Sequence, residues 1–166
     1  MKIPKPANEV LQAGHKLLRI VSKSVPLEII NTPPLNQLLS RMKKVLLKEK
    51  DGVALAAPQI GINLRLFVVN QTTEAGIYIN PIIIKCSSKK QNFHEGCLSV
   101  RNIYGNIRRS EKVTVLALDE TGRKFTRGAS GLLAEIFQHE IDHLDGILFV
   151  DHAKNLQEIK ANEQNP

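Results

Sequence analysis

The order of the hydrophobic patterns along the chain is the feature that most limits its fold. Apolar runs rich in β-branched residues occupy the middle of the chain, at residues 64–69, 77–84 and 113–118, and such runs are typical of strands. Apolar residues with helical spacing follow Pro33 on one side of these runs and Ser130 on the other. Because the helices flank the strands without alternating with them, we expect an α+β fold with a mostly antiparallel sheet.

Capping residues and prolines predict where the helices begin and end. Thr32 followed by two prolines predicts a helix start, since proline is tolerated in the first helical turn, and Asp51-Gly52 predicts its end. Ser130 predicts the N-cap of a second helix that runs to about Leu144. A further helical segment is predicted over residues 9–21.

Turn residues predict how the strands are connected. Pro81 interrupts the run at 77–84 and is expected to break that strand. The segment 119–122, Asp-Glu-Thr-Gly, reads as a turn that joins the strand at 113–118 to residues 123–127 in a hairpin.

The composition is that of one globular domain. The chain has 166 residues, of which 42% are hydrophobic and 23% charged, and a chain of this length buries roughly 70% of the surface that it exposes when unfolded. Its two cysteines cannot form a disulfide framework. We therefore expect a single domain over residues 1–166, with a flexible tail at about 161–166.

Several classes of partner and location are disfavoured by the sequence. Aromatic residues make up only 4% and Trp is absent, which argues against a stacking platform for single-stranded nucleic acid. The N-terminal residues Met1–Pro6 contain no apolar signal core, and no stretch approaches the length of a membrane span. We expect a cytoplasmic, monomeric protein without DNA or membrane partners.

The last predicted helix carries the pattern His-Glu-Ile-Asp-His at residues 139–143. His139 and His143, at i and i+4, share one helix face, so both imidazoles can reach one metal ion. Glu140 is rotated off that face, too far for a third ligand but close enough to contact a metal-bound water. The apolar residues expected to bury this side of the helix are Leu132, Leu133, Ile136 and Phe137.

A third metal ligand has to come from elsewhere in the chain. Zinc proteases with an extended motif have a third His at the position of Phe149, and His152 lies three residues too late. Cys97, which follows a glycine in an extended polar stretch, is the better candidate, since a thiolate and two histidines leave one open position. Cys86 is interpreted as structural.

Three segments resemble the signature motifs of the peptide deformylases. They are Gly-Val-Ala-Leu-Ala-Ala-Pro-Gln at residues 52–59, Glu-Gly-Cys-Leu-Ser at 95–99 and Gln-His-Glu-Ile-Asp-His-Leu at 138–144. The order and spacing also match, and the resemblance extends from about residue 10 to residue 152. It implies a sheet packed around a central, metal-binding C-terminal helix, and removal of the formyl group from the formyl-methionine of nascent polypeptides.

The resemblance also implies roles for individual residues. Cys97, His139 and His143 would hold one Fe²⁺ ion, for which Zn²⁺ or Ni²⁺ can substitute, and the ion lowers the pKa of a bound water so that hydroxide attacks the formyl carbon. Glu140 would act as general base and acid, and the Gln59 side-chain amide and the Leu98 backbone N–H would stabilise the oxyanion. The expected substrate-binding residues are Gly52, Val53, Ala54, Leu132, Glu135 and Ile136.

Four residues depart from the family pattern. Ala54 stands where a second glycine is usual, and Arg101 where proline is usual, which predicts a less rigid loop. Tyr104 occupies a predicted loop position at which many relatives carry a charged residue. Glu135 stands near the methionine pocket, where an apolar or basic residue is frequent, and either shifts the peptide preference toward basic residues or points to solvent.

Glu95 and Asp142 are two further acidic residues that we expect to lie outside the catalytic chemistry. Glu95 and Arg109 are expected to pair across the strand region as a structural ion pair. Asp142, three residues beyond His139, is expected to support a ligand, to form a helix-surface ion pair, or to be a plain solvated carboxylate.

Two other function classes remain open at this point: a general metalloprotease that uses the same helix, and a catalytically impaired deformylase-like protein that binds nascent chains or the ribosome. The excess of 23 Lys and Arg over 16 Asp and Glu gives a net charge of +7, which suits weak docking to ribosomal RNA or simply keeps the surface soluble. The basic residues considered for such docking are Lys43, Lys44, Lys48, Lys50, Lys89, Lys90, Arg108, Arg109, Lys154 and Lys160.

Overall fold

A computed structural model describes residues 3–71 and 74–159 of the chain. In these residues two helices and eight strands follow one another in the order α1 (Pro33–Leu46), β1 (Ala54–Ala56), β2 (Leu66–Gln71), β3 (Glu74–Cys86), β4 (Lys90–Cys97), β5 (Val100–Ser110), β6 (Lys112–Leu118), β7 (Lys124–Ser130), α2 (Gly131–Leu144) and β8 (Lys154–Glu158). Short 3₁₀ helices lie at Lys16–Arg19, Leu27–Ile29, Ala57–Ile60 and Phe149–Asp151.

The strands form two antiparallel sheets. The larger sheet has five strands in the order β1-β2-β3-β6-β7, and the smaller has three in the order β4-β5-β8. The expected α+β class with mostly antiparallel pairing is therefore confirmed.

Strands β1 and β2, at one end of the five-stranded sheet, are buried on both faces over residues 54–56 and 66–69. Along β2, Leu66 and Val68 point toward the hydrophobic cluster that includes α1, whereas Phe67 and Val69 point toward the cluster that includes α2. Successive side chains of a strand alternate between faces, so a strand covered on both sides reads as a continuous apolar run. This double burial explains why β2 was recognisable in the sequence, whereas β6 alternates between buried and half-buried residues and was recognisable from its β-branched run.

Helix α2 lies centrally and contacts strands of both sheets. Its Phe137 packs against Phe67 and Tyr78, whose rings are stacked 4.7 Å apart. The expected start at Ser130 and end at Leu144 agree with the structure. The expected burial of Leu132 was wrong: this residue is 53% exposed, because it lies in the first turn at the mouth of a cavity.

The end of α2 is fixed by a close backbone approach. Gly146 has φ +75°, and a Cβ on it would lie 2.9 Å from the carbonyl carbon of Arg19. The N–H of Ser22 donates to the carbonyl of Leu144 at 2.8 Å. A glycine is therefore required here both by the backbone angle and by the N-terminal segment that crosses the helix end.

The prediction of a helix over residues 9–21 was wrong, since only Lys16–Arg19 form a single 3₁₀ turn. Part of the backbone of this segment bonds to other parts of the chain instead of forming a continuous helix. The N–H of Leu11 donates to the carbonyl of Gln59, and that of Ala13 to the carbonyl of Ser99, both at 2.8 Å. The N-terminal segment thus braces two segments that line the cavity described below.

Two predicted boundaries differ from the structure. Pro81 does not end a strand: β3 continues from Glu74 to Cys86, and the register shifts beside the proline while Asn80 takes φ +50° and its side chain bonds the backbone of Val25. Helix α1 ends at Leu46, earlier than expected, because the chain tightens into i→i+3 turns before Gly52.

The three-stranded sheet was not predicted. Strands β4, β5 and β8 are half exposed and rich in polar residues, so they carry neither a continuous apolar run nor a clean alternation. Tyr104, expected in a loop, lies within β5. Cys86 is an exposed residue at the end of β3 and not part of a core.

Neither described helix combines the length and the apolar composition that a membrane span requires. Lys160 and the tail expected at 161–166 lie outside the described residues.

Candidate metal centre and active site

Strand β4 and helix α2 bring the three expected metal ligands together. One donor atom each from Cys97, His139 and His143 lies within 4.8 Å of the other two. The Sγ of Cys97 is 3.1 Å from Nε2 of His143. Cys97 ends β4, and the two histidines lie one turn apart on α2, so the arrangement follows from packing the end of a strand against one helix face.

The chemistry of these donors fits one divalent transition-metal ion. Burial opposes ionisation of the Cys97 thiol, but His143 and His139 beside it outweigh that effect and hold its pKa well below its ordinary value. The thiol is therefore poised as a thiolate, which is the form that binds metals. A thiolate with two imidazoles is a three-ligand set that leaves a coordination position free.

Glu95 fixes the orientation of one ligand. Its Oε2 lies 2.9 Å from Nδ1 of His139, which leaves Nε2 of that ring to face the centre. Burial disfavours the charged form of Glu95, but the hydrogen bonds from His139 and Arg109 outweigh it and lower the pKa of the carboxyl. Carboxylate partners of this kind set the tautomer of a metal-binding histidine.

The expected pair of Glu95 and Arg109 is present, and it does more than join two strands. Arg109 Nη2 donates to Glu95 Oε2 at 3.0 Å, and Nη1 donates to Asp142 Oδ2 at 2.8 Å. Glu95 also contacts His139. Arg109 therefore fixes the position of Glu95, and Glu95 fixes the orientation of the candidate ligand His139. Sequence reasoning missed this role, although Glu95 and Cys97 are two residues apart and hence on one face of a strand. Arg109 is buried and cannot belong to the basic docking surface.

Glu140 is buried beside the ligands but is not one of them. It is 4% exposed, and its Oε2 has no hydrogen-bond partner among the described residues. Burial raises the pKa of Glu140 to about 7, although His143 and His139 act in the opposite direction. A carboxyl with this pKa can accept and release a proton near neutral pH.

Gln59 presents the donor end of its amide to the same centre. Its Oε1 accepts the N–H of Ala56 at 2.8 Å, so Nε2 must point the other way. That nitrogen lies 3.2 Å from Oγ of Ser99 and 3.7 Å from Sγ of Cys97. Leu98 and Ser99 form the turn between β4 and β5, so the N–H of Leu98 is outside the strand ladder.

These groups open into a cavity of about 490 Å³. Its lining includes Gln59, Cys97, His139 and Glu140. The expected substrate-binding residues also line it, namely Gly52, Val53, Ala54, Leu132, Glu135 and Ile136. His143 is absent from the lining and lies behind the cavity wall, 1% exposed.

The unusual residues of the sequence take distinct positions around this cavity. Arg101 lies in β5, and its Nη2 pairs with Glu49 at 3.2 Å, so it ties that strand to the segment after α1 and does not form a loose loop. The ring of Tyr104 stacks on His94 and lies directly over Gly96.

Glu135 is half-buried, and no described residue donates a hydrogen bond to it. Burial, followed by the charge of Glu95, raises the pKa of its carboxyl to about 7. Ala54 is buried in β1, where it pairs with Val69.

Phe149 stands where extended-motif zinc proteases carry their third histidine, and here it is a buried packing residue. Phe149 is 1% exposed, and its ring stacks near that of His139 with centroids 6.2 Å apart. His152 is exposed. The arrangement disfavours a third ligand downstream of α2.

A family model described as polypeptide deformylase matches residues 7–158. The chain belongs to the polypeptide deformylase family. It is 45% identical over 129 residues to peptide deformylase 2 of Clostridium acetobutylicum, which covers 78% of this chain and 85% of that relative.

Solved deformylase structures share the fold. A peptide deformylase of Synechococcus elongatus in complex with actinonin has a TM-score of 0.83 and 37% identity, with 93% of this chain and 83% of that chain covered. A class I type b peptide deformylase of Acinetobacter baumannii bound to Met-Ala-Ser has a TM-score of 0.82 and 33% identity, with 92% of this chain and 99% of that chain covered.

The resemblance inferred from the three motifs is therefore confirmed, and this chain is a peptide deformylase. Membership implies a metal-dependent hydrolase that acts on formylated nascent peptides during protein synthesis. The expected fold, with its metal-capable group on the C-terminal helix, is confirmed as well.

Proposed function

We propose that this deformylase removes the formyl group from N-terminal formyl-methionine with Cys97, His139 and His143 as ligands of one metal ion and Glu140 as the proton carrier. The observation that supports this most strongly is the meeting of the three donor atoms within 4.8 Å of one another, next to a buried carboxylate oxygen that lacks a partner among the described residues.

The proposed ion is Fe²⁺, as the family resemblance implies, with Zn²⁺ or Ni²⁺ as substitutes. A thiolate with two imidazoles suits each of these ions. When bound, the ion supplies Lewis-acid chemistry and lowers the pKa of water toward neutrality.

Glu140 carries the proton through the reaction. Its Oε2 takes a proton from the attacking water as the new C–O bond forms at the formyl carbon. The formyl C–N bond then breaks, formate leaves, and the proton passes from Oε2 to the amine nitrogen of methionine. A pKa of about 7 suits both halves of this transfer, since the group is neither a strong acid nor a strong base at neutral pH.

Two donors stabilise the negative charge that develops on the formyl oxygen. They are Nε2 of Gln59, which the Ala56 N–H orients, and the backbone N–H of Leu98 in the β4–β5 turn. Each donor of this kind typically lowers the barrier by about 3 kcal/mol.

The substrate backbone binds beside β1. This strand is at the edge of the five-stranded sheet and lines the cavity, so residues Gly52–Ala54 can pair with an extended peptide. The Acinetobacter baumannii deformylase structure contains bound Met-Ala-Ser, and we propose that a formylated peptide of that kind binds beside β1 here. Leu132, Glu135 and Ile136 then contact its side chains.

The chain is further proposed to act as a single, monomeric catalytic domain in the cytoplasm. Weak docking to the ribosome would use exposed basic residues such as Lys43, Lys44, Lys89, Lys90 and Arg108, and it should weaken as salt rises. Co-sedimentation with ribosomes that is insensitive to salt would contradict this part of the proposal.

The test is an anaerobic assay of iron-loaded enzyme with formyl-Met-Ala-Ser, beside Glu140→Ala. The wild-type chain should release formate, and the variant should lose about 10²- to 10⁴-fold in rate while it retains its metal, because Glu140 is not a ligand. Equal rates from both proteins would overturn the role of Glu140. Absence of formate from the metal-loaded wild type, with cleavage of unformylated internal bonds, would overturn the deformylase assignment in favour of a general protease.

A further inference from the structure

Glu135 is a cavity residue that the proposed chemistry does not use. It lies on α2 one turn before His139, on the same face of the helix, and it lines the cavity together with Gln59, Cys97 and Glu140. Its side chain is half-buried. The carboxylate therefore shares a cavity with the reacting groups and is partly shielded from solvent.

The other carboxylates that line the cavity are accounted for. Glu49 pairs with Arg101, Asp51 is exposed to solvent, and Glu140 belongs to the proposed chemistry. Glu135 alone among them is half-buried without a hydrogen bond or ion pair from any described residue.

The charges around Glu135 do not neutralise it. Glu95 opposes its ionisation, whereas His139 and Arg109 favour it. Both of those side chains already bond Glu95. Burial is the largest influence and raises the pKa of Glu135 to about 7. A cation from outside the protein would supply the partner that the ionised carboxylate lacks.

We propose that Glu135 is a specificity-determining residue whose carboxylate binds a lysine or arginine side chain of the substrate residue that follows formyl-methionine. The proposal rests on the proposed function. Since every substrate of a deformylase begins with the same apolar residue, a charged group in the cavity can discriminate among peptides only through the residues that come after it.

Basic residues at the cavity mouth do not cancel this preference. Lys48 and Lys50 also line the cavity, but both are exposed, and solvent and salt screen exposed charges more strongly than half-buried ones. A single partly shielded ion pair of this kind changes relative rates by roughly three- to tenfold.

The experiment compares three peptide substrates and two charge variants. Metal-loaded wild type is assayed with formyl-Met-Lys-Ser, formyl-Met-Gln-Ser and formyl-Met-Glu-Ser, and kcat/KM is measured for each peptide. Glu135→Gln removes the charge at nearly constant shape, and Glu135→Lys reverses it. Asp51→Asn is the matched control, since it removes one negative charge from the same cavity at an exposed position.

The wild type should favour the lysine peptide over the glutamine peptide by roughly three- to tenfold. Glu135→Gln should bring that ratio close to one, and Glu135→Lys should favour the glutamate peptide. Asp51→Asn should leave the ratio as in wild type. Unchanged ratios in both Glu135 variants would overturn the proposal, and so would an equal loss of preference in Asp51→Asn, which indicates a diffuse field instead of a contact.

Failure of the proposal is distinguishable from failure of the proposed function. If the metal-loaded wild type deformylates none of the three peptides, the proposed function fails. If it deformylates all three at one rate, the function stands and the role of Glu135 is overturned. Metal content is measured in every variant, so that a loss of the ion is not mistaken for a change in specificity.

Discussion

Glu95 accepts a hydrogen bond from Nδ1 of His139 at 2.9 Å and is held in turn by Arg109. The carboxylate side chain is fully buried, and the arginine is 7% exposed. Arg109 on β5 thus holds Glu95 on β4, and Glu95 in turn holds His139 on α2. The position of one candidate ligand therefore depends on a buried chain of charges that spans three elements.

Substitution Glu95→Ala should lower the affinity for metal by about 10- to 100-fold, because His139 loses the group that orients its ring. The measurement is competition with a chelator under anaerobic conditions. Glu111→Gln is the control, since it removes a carboxylate that pairs with the exposed Lys89. Equal affinity in Glu95→Ala and wild type would contradict a supporting role for the carboxylate.

Substitution Cys97→Ala should abolish stoichiometric metal binding. The thiolate is the only sulfur donor near the two histidines among the described residues, and two imidazoles alone bind divalent ions far less tightly. Metal content per chain is measured after purification and reloading. Cys86→Ala, which removes the exposed thiol, should retain a full complement. Undiminished metal in Cys97→Ala would revive the general metalloprotease hypothesis.

Substitution Gln59→Ala should lower kcat by about 10²- to 10³-fold, the usual effect of losing one oxyanion donor. Metal content should stay at the wild-type level, since the amide is not part of the ligand set. Steady-state kinetics with formyl-Met-Ala-Ser check the rate. Gln91→Ala, at an exposed position of β4, should behave as wild type. A fall in rate that merely follows lost metal would argue against an oxyanion role.

The bond between Asp151 and Arg19 predicts a pH-dependent contribution to stability. The arginine, together with the N–H of Leu148, lowers the pKa of the Asp151 carboxyl. A carboxyl whose pKa is lower in the folded chain stabilises that chain at pH values above its pKa in the unfolded chain, about 3.9. This stabilisation is lost as the pH falls through the pKa of the carboxyl in the folded chain.

Asp151→Asn should therefore lower the free energy of unfolding by about 0.5 kcal/mol at pH 7, a modest value because both side chains are partly exposed and screened. The difference from wild type should shrink below pH 4. Denaturant unfolding at both pH values checks this, with Glu120→Gln as a control for loss of an exposed carboxylate. A difference that persists unchanged in acid would contradict the electrostatic origin.

The contact between Gly96 and Tyr104 predicts a coupled effect of two substitutions. A Cβ on Gly96 would lie 2.6 Å from Cε1 of Tyr104, so Gly96→Ala should destabilise the chain by about 1–3 kcal/mol. Adding Tyr104→Ser should recover part of that loss, and the two effects should not add. Gly128→Ala, where a Cβ meets open space, should change stability little. Strict additivity of the two substitutions would contradict the contact.

The two candidate histidine ligands could be predicted from the sequence because the signal for them is local. His139 and His143 are one helical turn apart, so a shared face follows from helix geometry alone. Strand β2 was recognisable because both of its faces are buried, and β6 because residues 113–118 form an apolar run rich in β-branched residues.

The supporting groups could not be predicted in the same way. That Glu95 meets His139 depends on β4 packing against α2, and β4 itself gave no clear strand signal because its residues are mostly exposed and polar. Likewise, residues 9–21 have apolar spacing that allows a helix, yet the N–H groups of Leu11 and Ala13 donate to the carbonyls of Gln59 and Ser99. Whether such a segment forms a helix or bonds to distant parts of the chain depends on the tertiary fold, which the local sequence pattern does not contain.

The candidate ligands come from the smaller sheet at Cys97 and from the helix that packs against the larger sheet at His139 and His143. An ion held by all three residues would bind the native chain in preference to the unfolded one, so occupancy of this site would be linked to folding. At a free concentration a thousandfold above the dissociation constant, such linkage adds about 4 kcal/mol to the free energy of unfolding. A lack of metal would then abolish the activity of the enzyme and also make the chain more susceptible to proteolysis.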